Sequence, residues 1–141
     1  MNASSLIQVG DIFITPVVSH DLIESFDAEI RTADSGPGWH YHEHMDEVFR
    51  VISGEVTITS GGVQIVATPG MVVHVPRRTP HSWKSLGGPA RLLFTFLPGR
   101  NQLGYLTELG LLSQSGASWE EGVALLRQKY DSVPCPQGSG E

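Results

Sequence analysis

The reactive side chains of this protein crowd into GWHYHEHMDEVF, residues 38–49. Three of its six histidines fall there, His40, His42 and His44, together with the acids Glu43, Asp46 and Glu47. Imidazoles beside carboxylates either ligate a metal ion or form a solvated loop that changes charge near neutral pH. Spacing sorts the donors. His40 and His42 are two residues apart, so on a strand they share a face and Tyr41 takes the other. Such a pair can converge on one ion at ~2.0–2.2 Å. Glu47 follows His42 by an odd number of residues, and on a straight strand it would face away. It shares its parity with apolar Phe49 and Val51, so the spacing predicts a bend in Glu43–Asp46. The bend turns Glu47 toward the histidine pair and leaves His44 within it. His81, in the proline-bracketed PRRTPHSW, is a distant fourth donor. Three imidazoles and a carboxylate suit Fe, Mn, Ni, Co, Cu or Zn, so one divalent transition metal ion per chain is the expected cofactor. Four ligands leave about two octahedral positions for water, dioxygen or substrate. The solvated loop remains the alternative. Trp39 and the apolar run at 48–52 weigh against it, because a polar cluster beside them is costly to bury unpaired.

The elements that must position these groups are short strands. The chain has 141 residues, enough for one domain with its own core, and its 16 glycines and 9 prolines favour tight turns. Its formal charge is −6 with no basic run, which argues against nucleic acid and anionic membrane surfaces as partners. No secretory leader is visible, and the longest apolar run, LLFTFL, is too short to span a bilayer. A cytoplasmic protein is expected. The single cysteine, Cys135, allows no internal disulfide.

Residues 6–14 read as one or two strands broken at Gly10, and residues 15–25, with Pro16, as a turn region. SFDAEIRT, EVFRVISG, EVTITSGG and GGVQIVATPG alternate as half-buried strands. MVVHVP reads as a strand covered on both faces, with His74 in the core. KSLGGPARLLFTFLPG reads as a hairpin around Gly87-Gly88. About eight or nine strands at spacings of roughly 8–12 residues predict an all-β sandwich or small barrel. After Gly99 the period becomes helical. Leu103, Leu106 and Leu109 repeat, Ser118 and Glu121 form a capping box, and Trp119, Val123, Leu126 and Tyr130 make an apolar stripe. The expected organisation is a barrel over 1–99, helices over 100–132 packed on it and a flexible tail over 133–141.

The two histidine segments resemble the motifs of the cupin family. Its first motif, G-x5-H-x-H-x(3,4)-E-x6-G, is matched by His40, His42, Glu47 and Gly54, with Asp34 in place of the leading glycine. Its second, G-x5-P-x-G-x2-H-x3-N, is matched by Gly70, Pro76 and His81, with Arg78 for the inner glycine and Ser85 for the asparagine. The resemblance implies a cupin-type double-stranded β-helix (a jelly-roll or conical β-barrel) with C-terminal helices. It implies a metal held by His40, His42, Glu47 and His81, with His44 outside the ligand set. The strings look most like quercetinase-like single-domain cupins.

The expected function is therefore that of a metal-dependent dioxygenase acting on a small flavonol- or catechol-like substrate. Glu47 would be the catalytic base, and Phe26, His44, Met45, Phe49, Phe94 and Phe96 are candidates for the substrate pocket. Trp39 and Trp83 are read as packing residues, and Arg77 and Arg78 as solvated charge. A redox-neutral cyclase, isomerase or lyase and a non-catalytic binding protein are the alternatives. A homodimer is expected, with residues 6–14 as the candidate edge.

Overall fold

The computed structural model describes residues 6–135. In chain order the elements are β1 (Ile7–Val9), β2 (Ile12–Ser19), β3 (Glu24–Ile30), β4 (His40–Tyr41), β5 (Asp46–Ser53), β6 (Val56–Ser60), β7 (Val63–Ala67), β8 (Val72–Val75), β9 (His81–Ser85), β10 (Ala90–Leu97), α1 (Gln102–Gln114), α2 (Trp119–Lys129) and β11 (Val133–Pro134). Two antiparallel sheets face each other, in the orders β1-β2-β3-β10-β5-β8 and β11-β4-β9-β6-β7. The architecture is the expected double-stranded β-helix followed by two helices.

Period-two alternation builds the core. Phe26, Ala28 and Ile30 of β3, Phe49 and Val51 of β5, and Leu92, Phe94 and Phe96 of β10 all turn inward. Register places Phe94 between Phe26 and Phe49, and the Phe26 and Phe94 rings stack at 5.4 Å. Ile58 and Trp83 close the core from the other sheet.

Four expectations change. The region around Pro16 is strand, because a register shift between Pro16 and Val18 accommodates the residue that cannot donate to the ladder. Among the described residues β8 is an edge strand paired only with β5, so Val72 and His74 are exposed, and His74 meets Asp46 at 2.9 Å instead of lying in the core. The segment around Gly87-Gly88 is no hairpin: β9 and β10 belong to different sheets, and the turn crosses between them. Part of the expected tail is structured, since Val133 and Pro134 pair with β4. Residues 136–141 lie outside the described residues.

The helices are tied to the barrel by polar contacts the sequence does not advertise. Buried Glu24 accepts hydrogen bonds from the backbone N–H groups of Gln102 (2.7 Å) and Leu103 (3.0 Å), so a barrel carboxylate caps the positive start of α1. Ser118 caps α2 through the Glu121 N–H, and acids fill its first turn while Arg127 and Lys129 occupy its last. No residue of α2 is fully buried.

Candidate metal centre

β4, β5 and β9 bring the donors together. β4 and β9 pair His40 directly with His81. The chain leaves β4 after Tyr41, bends through residues 42–45 and re-enters as β5, so Glu47 points inward beside Phe49 and Val51. The ligand atoms of His40, His42, Glu47 and His81 all lie within 4.8 Å of one another, and all four side chains are buried. Glu47 Oε1 is 3.1 Å from His42 Nε2 and 3.2 Å from His81 Nε2. His44 is exposed, on the far side of the bend.

The backbone fixes how the imidazoles present themselves. Nδ1 of His40 sits 2.8 Å from the Gly38 carbonyl, Nδ1 of His81 2.9 Å from the Thr79 carbonyl, and Nδ1 of His42 2.6 Å from the Asp131 carbonyl. A carbonyl only accepts, so each Nδ1 donates and each Nε2 is free to offer its lone pair inward. With each Nε2 unprotonated, three imidazoles and a carboxylate present converging electron pairs, which is the arrangement a cation satisfies. The donor set fits a divalent transition metal ion.

In the metal-free protein one of the same donors, His42, attracts a proton in the cation's place. Burial alone would raise the pKa of Glu47, but the hydrogen bonds and charges of His42 and His81 outweigh it and bring it to about 2. Burial, then the neighbouring His81 and His42, push His40 well below the ordinary imidazole value. Burial opposes charge on His42 too, yet the Glu47 carboxylate and the Asp131 carbonyl prevail and raise its pKa.

Asp131 is a positioning residue that the sequence reading missed. Its carbonyl orients His42, and its carboxylate accepts the backbone N–H groups of Glu43 (2.8 Å) and His44 (2.9 Å), pinning the bend between the donors. Positions 34, 78 and 85, where the chain departs from the motif consensus, keep their jobs. Asp34 (φ 58°) and Arg78 (φ 66°) hold the left-handed conformation in which glycine is ordinarily found, and the Arg78 N–H donates to the His42 carbonyl at 2.7 Å. Buried Ser85 accepts from the Ser35 N–H and donates to the Thr32 carbonyl, tying β9 to the approach turn. Gly36 is required in that turn, since a Cβ would lie 1.8 Å from the Trp83 carbonyl oxygen.

A cavity of about 210 Å³ opens onto His40, His42 and Glu47. Phe94, Phe96 and Trp83 form much of its wall near the donors, while residues of α1 and α2 form the opposite side. Phe26, Met45 and Phe49 do not line it. They are fully buried in the core, on neighbouring inward positions already filled by packing. His44 lines a separate shallow groove with Glu43 and Asp131. Trp83 reverses its expected role: two residues beyond His81, it shares the histidine's face and so reaches the cavity. Arg77 pairs with Asp46 and Arg78 with Glu43, both in exposed positions.

The family profile described as "Cupin domain" matches residues 26–96, half of the chain and all four donors. The chain is a cupin. It is 33% identical over 60 residues to quercetin 2,3-dioxygenase of Bacillus subtilis, a stretch that covers 43% of this chain and only 18% of that enzyme. KdgF from Halomonas sp. has a similar structure (TM-score 0.65, 19% identity, 70% of this chain and 90% of that one). So does Pac13, described as a nucleoside dehydratase (TM-score 0.59, 14% identity, 72% and 81%). At these identities the structural likenesses speak for the fold of this cupin.

Proposed function

We propose that this cupin is a metal-dependent enzyme of dioxygenase type acting on a small hydroxylated aromatic compound. The observation that carries the reading is the set of four buried, convergent donors on the wall of an apolar, aromatic-lined cavity. The identity to a quercetin dioxygenase supports the reaction class. A divalent ion held by His40, His42, Glu47 and His81 supplies Lewis acidity toward a substrate hydroxyl and, where the ion is redox-active, a route to dioxygen.

The chain's own residues do the rest. Phe94, Phe96 and Trp83 offer ring faces and edges to a flat substrate and keep water out. The backbone carbonyls behind the histidines hold every Nε2 in place. Glu47 accepts the hydroxyl proton. In the metal-free protein, against the effect of burial, His42 and His81 bring its pKa to about 2 and keep it ionised; as so weak a base it would take the proton only of a hydroxyl already acidified by the ion.

Elemental analysis of untagged protein, followed by oxygen-uptake assays with flavonols and catechols, tests the reading. Oxygen consumption is expected with at least one of iron, manganese, nickel or cobalt. The reading is lost if none of the four supports it. A redox-neutral reaction at the same residues is the second reading, favoured by the nucleoside dehydratase that shares the barrel. Zinc as the native ion, with substrate converted in the absence of oxygen, would put that reading first. Stoichiometric binding without product would mark a binding protein.

A further inference from the structure

Two polar groups on the helical wall of the cavity lack partners among the described residues. Gln102 of α1 is 1% exposed, and its Nε2 is buried with no acceptor among the described residues. Arg127 of α2 has its Nε buried in the same condition. Both residues line the cavity. Arg127 shares one helix face with Trp119 and Val123, which line it as well.

The nearby acids are committed elsewhere. Glu108 serves Lys129 (2.9 Å) and the Tyr130 hydroxyl, and Asp131 serves the N–H groups of Glu43 and His44. A guanidinium N–H and an amide N–H₂ buried on the cavity wall without acceptors are costly unless a ligand supplies the acceptor. Both groups donate, and guanidinium pairs best with a planar oxyanion.

We infer that Arg127 and Gln102 form an acid-binding patch on the helical wall of the cavity, and that the substrate is a single-ring hydroxyaromatic carrying a carboxylate. The inference rests on the cavity being the substrate site and narrows its substrate class. Size agrees: about 210 Å³ falls below the ~300–1,000 Å³ typical of pockets for drug-sized ligands, which favours one ring over the three of a flavonol. Charge agrees as well. A divalent ion together with Glu47 and Arg127 leaves a positive excess that an ionised hydroxyl and a carboxylate neutralise.

The probes are 3,4-dihydroxybenzoate and 3,4-dihydroxybenzamide, nearly equal in shape and different in charge. Each is titrated calorimetrically into the zinc-loaded full-length chain, where no oxygen chemistry intervenes. The benzoate is expected to bind about ten- to a hundredfold more tightly, the range of a charge-assisted hydrogen bond. In Arg127→Gln the ratio should collapse toward one with zinc content unchanged, and in Arg127→Lys part of it should remain. Equal affinities in the wild type, an undiminished ratio in Arg127→Gln, or no benzoate binding at millimolar concentration would each overturn the inference. Should Arg127→Gln fail to fold, the wild-type ratio and Arg127→Lys decide. Oxygen uptake is scored separately: its absence with a retained benzoate preference removes the dioxygenase reading and leaves this one standing.

Discussion

At the scale of single residues, position relative to the bend at 42–45 decides who is a donor. His42→Ala should strip the ion while His44→Ala leaves it bound, read by elemental analysis of each variant, because only His42 is buried with its Nε2 toward Glu47. A second expectation concerns protons. Against the effect of burial, Glu47 and the Asp131 carbonyl raise the pKa of His42 in the metal-free protein, so an incoming ion must displace a proton held more tightly than on a free imidazole. Metal affinity should therefore climb as pH rises through the range in which His42 loses that proton, and metal uptake on the acid side of that range should release protons. Calorimetry in buffers of different ionisation heat would show it, and zero release would contradict it. The four donors were legible because strand period and one forced bend are local properties of GWHYHEHMDEVF. Trp83 was equally legible from its two-residue offset to His81. Gln102, Arg127 and Asp131 were not, since nothing local distinguishes them from ordinary surface polarity. Only folding brings them to the barrel mouth.

At the scale of elements, the segment from α2 to β11 behaves as a brace for the centre. Asp131→Ala removes the carboxylate under the bend. Metal affinity should fall by about 10- to 100-fold, as for other groups that support metal ligands. The Glu43 and His44 amides should then exchange faster with solvent, whereas a wild-type exchange rate at both would show that the bend stands without the brace. The Pro76–His81 turn is a second support. Arg78→Gly should fold and hold metal as the parent does, since its φ of 66° costs glycine nothing. Arg78→Val should lower both Tm and metal content, because a β-branched residue there is strained by about 1–2 kcal/mol. Strand pairing was less legible than strand existence. β8 and the segment at Gly87-Gly88 were misread because an apolar run and a glycine pair look the same at a sheet edge, in a sheet centre or at a crossing between sheets.

At the scale of the whole molecule, the open question is how copies meet. Among the described residues β1 is an edge of its sheet, within the 6–14 segment that is the candidate dimer edge, but α1 lies along it. The Ser113 hydroxyl and the Gln114 amide both donate to the Gln8 carbonyl, and Gly110 lets the helix approach closely, since a Cβ there would stand 3.1 Å from that same oxygen. A second chain adding its strand here competes with these donors. If the dimer forms through β1, Ser113→Ala should tighten it in light scattering. An unchanged association constant would move the interface elsewhere.

The hydrogen bond from His42 to the Asp131 carbonyl spans 89 residues of sequence. During synthesis all four donors leave the ribosome well before their brace does. A nascent chain halted within α2 would display the complete set of ligands and still lack the contact that aims His42. Loading of the ion is thus expected to follow translation, and a prematurely terminated chain should betray itself by being metal-poor.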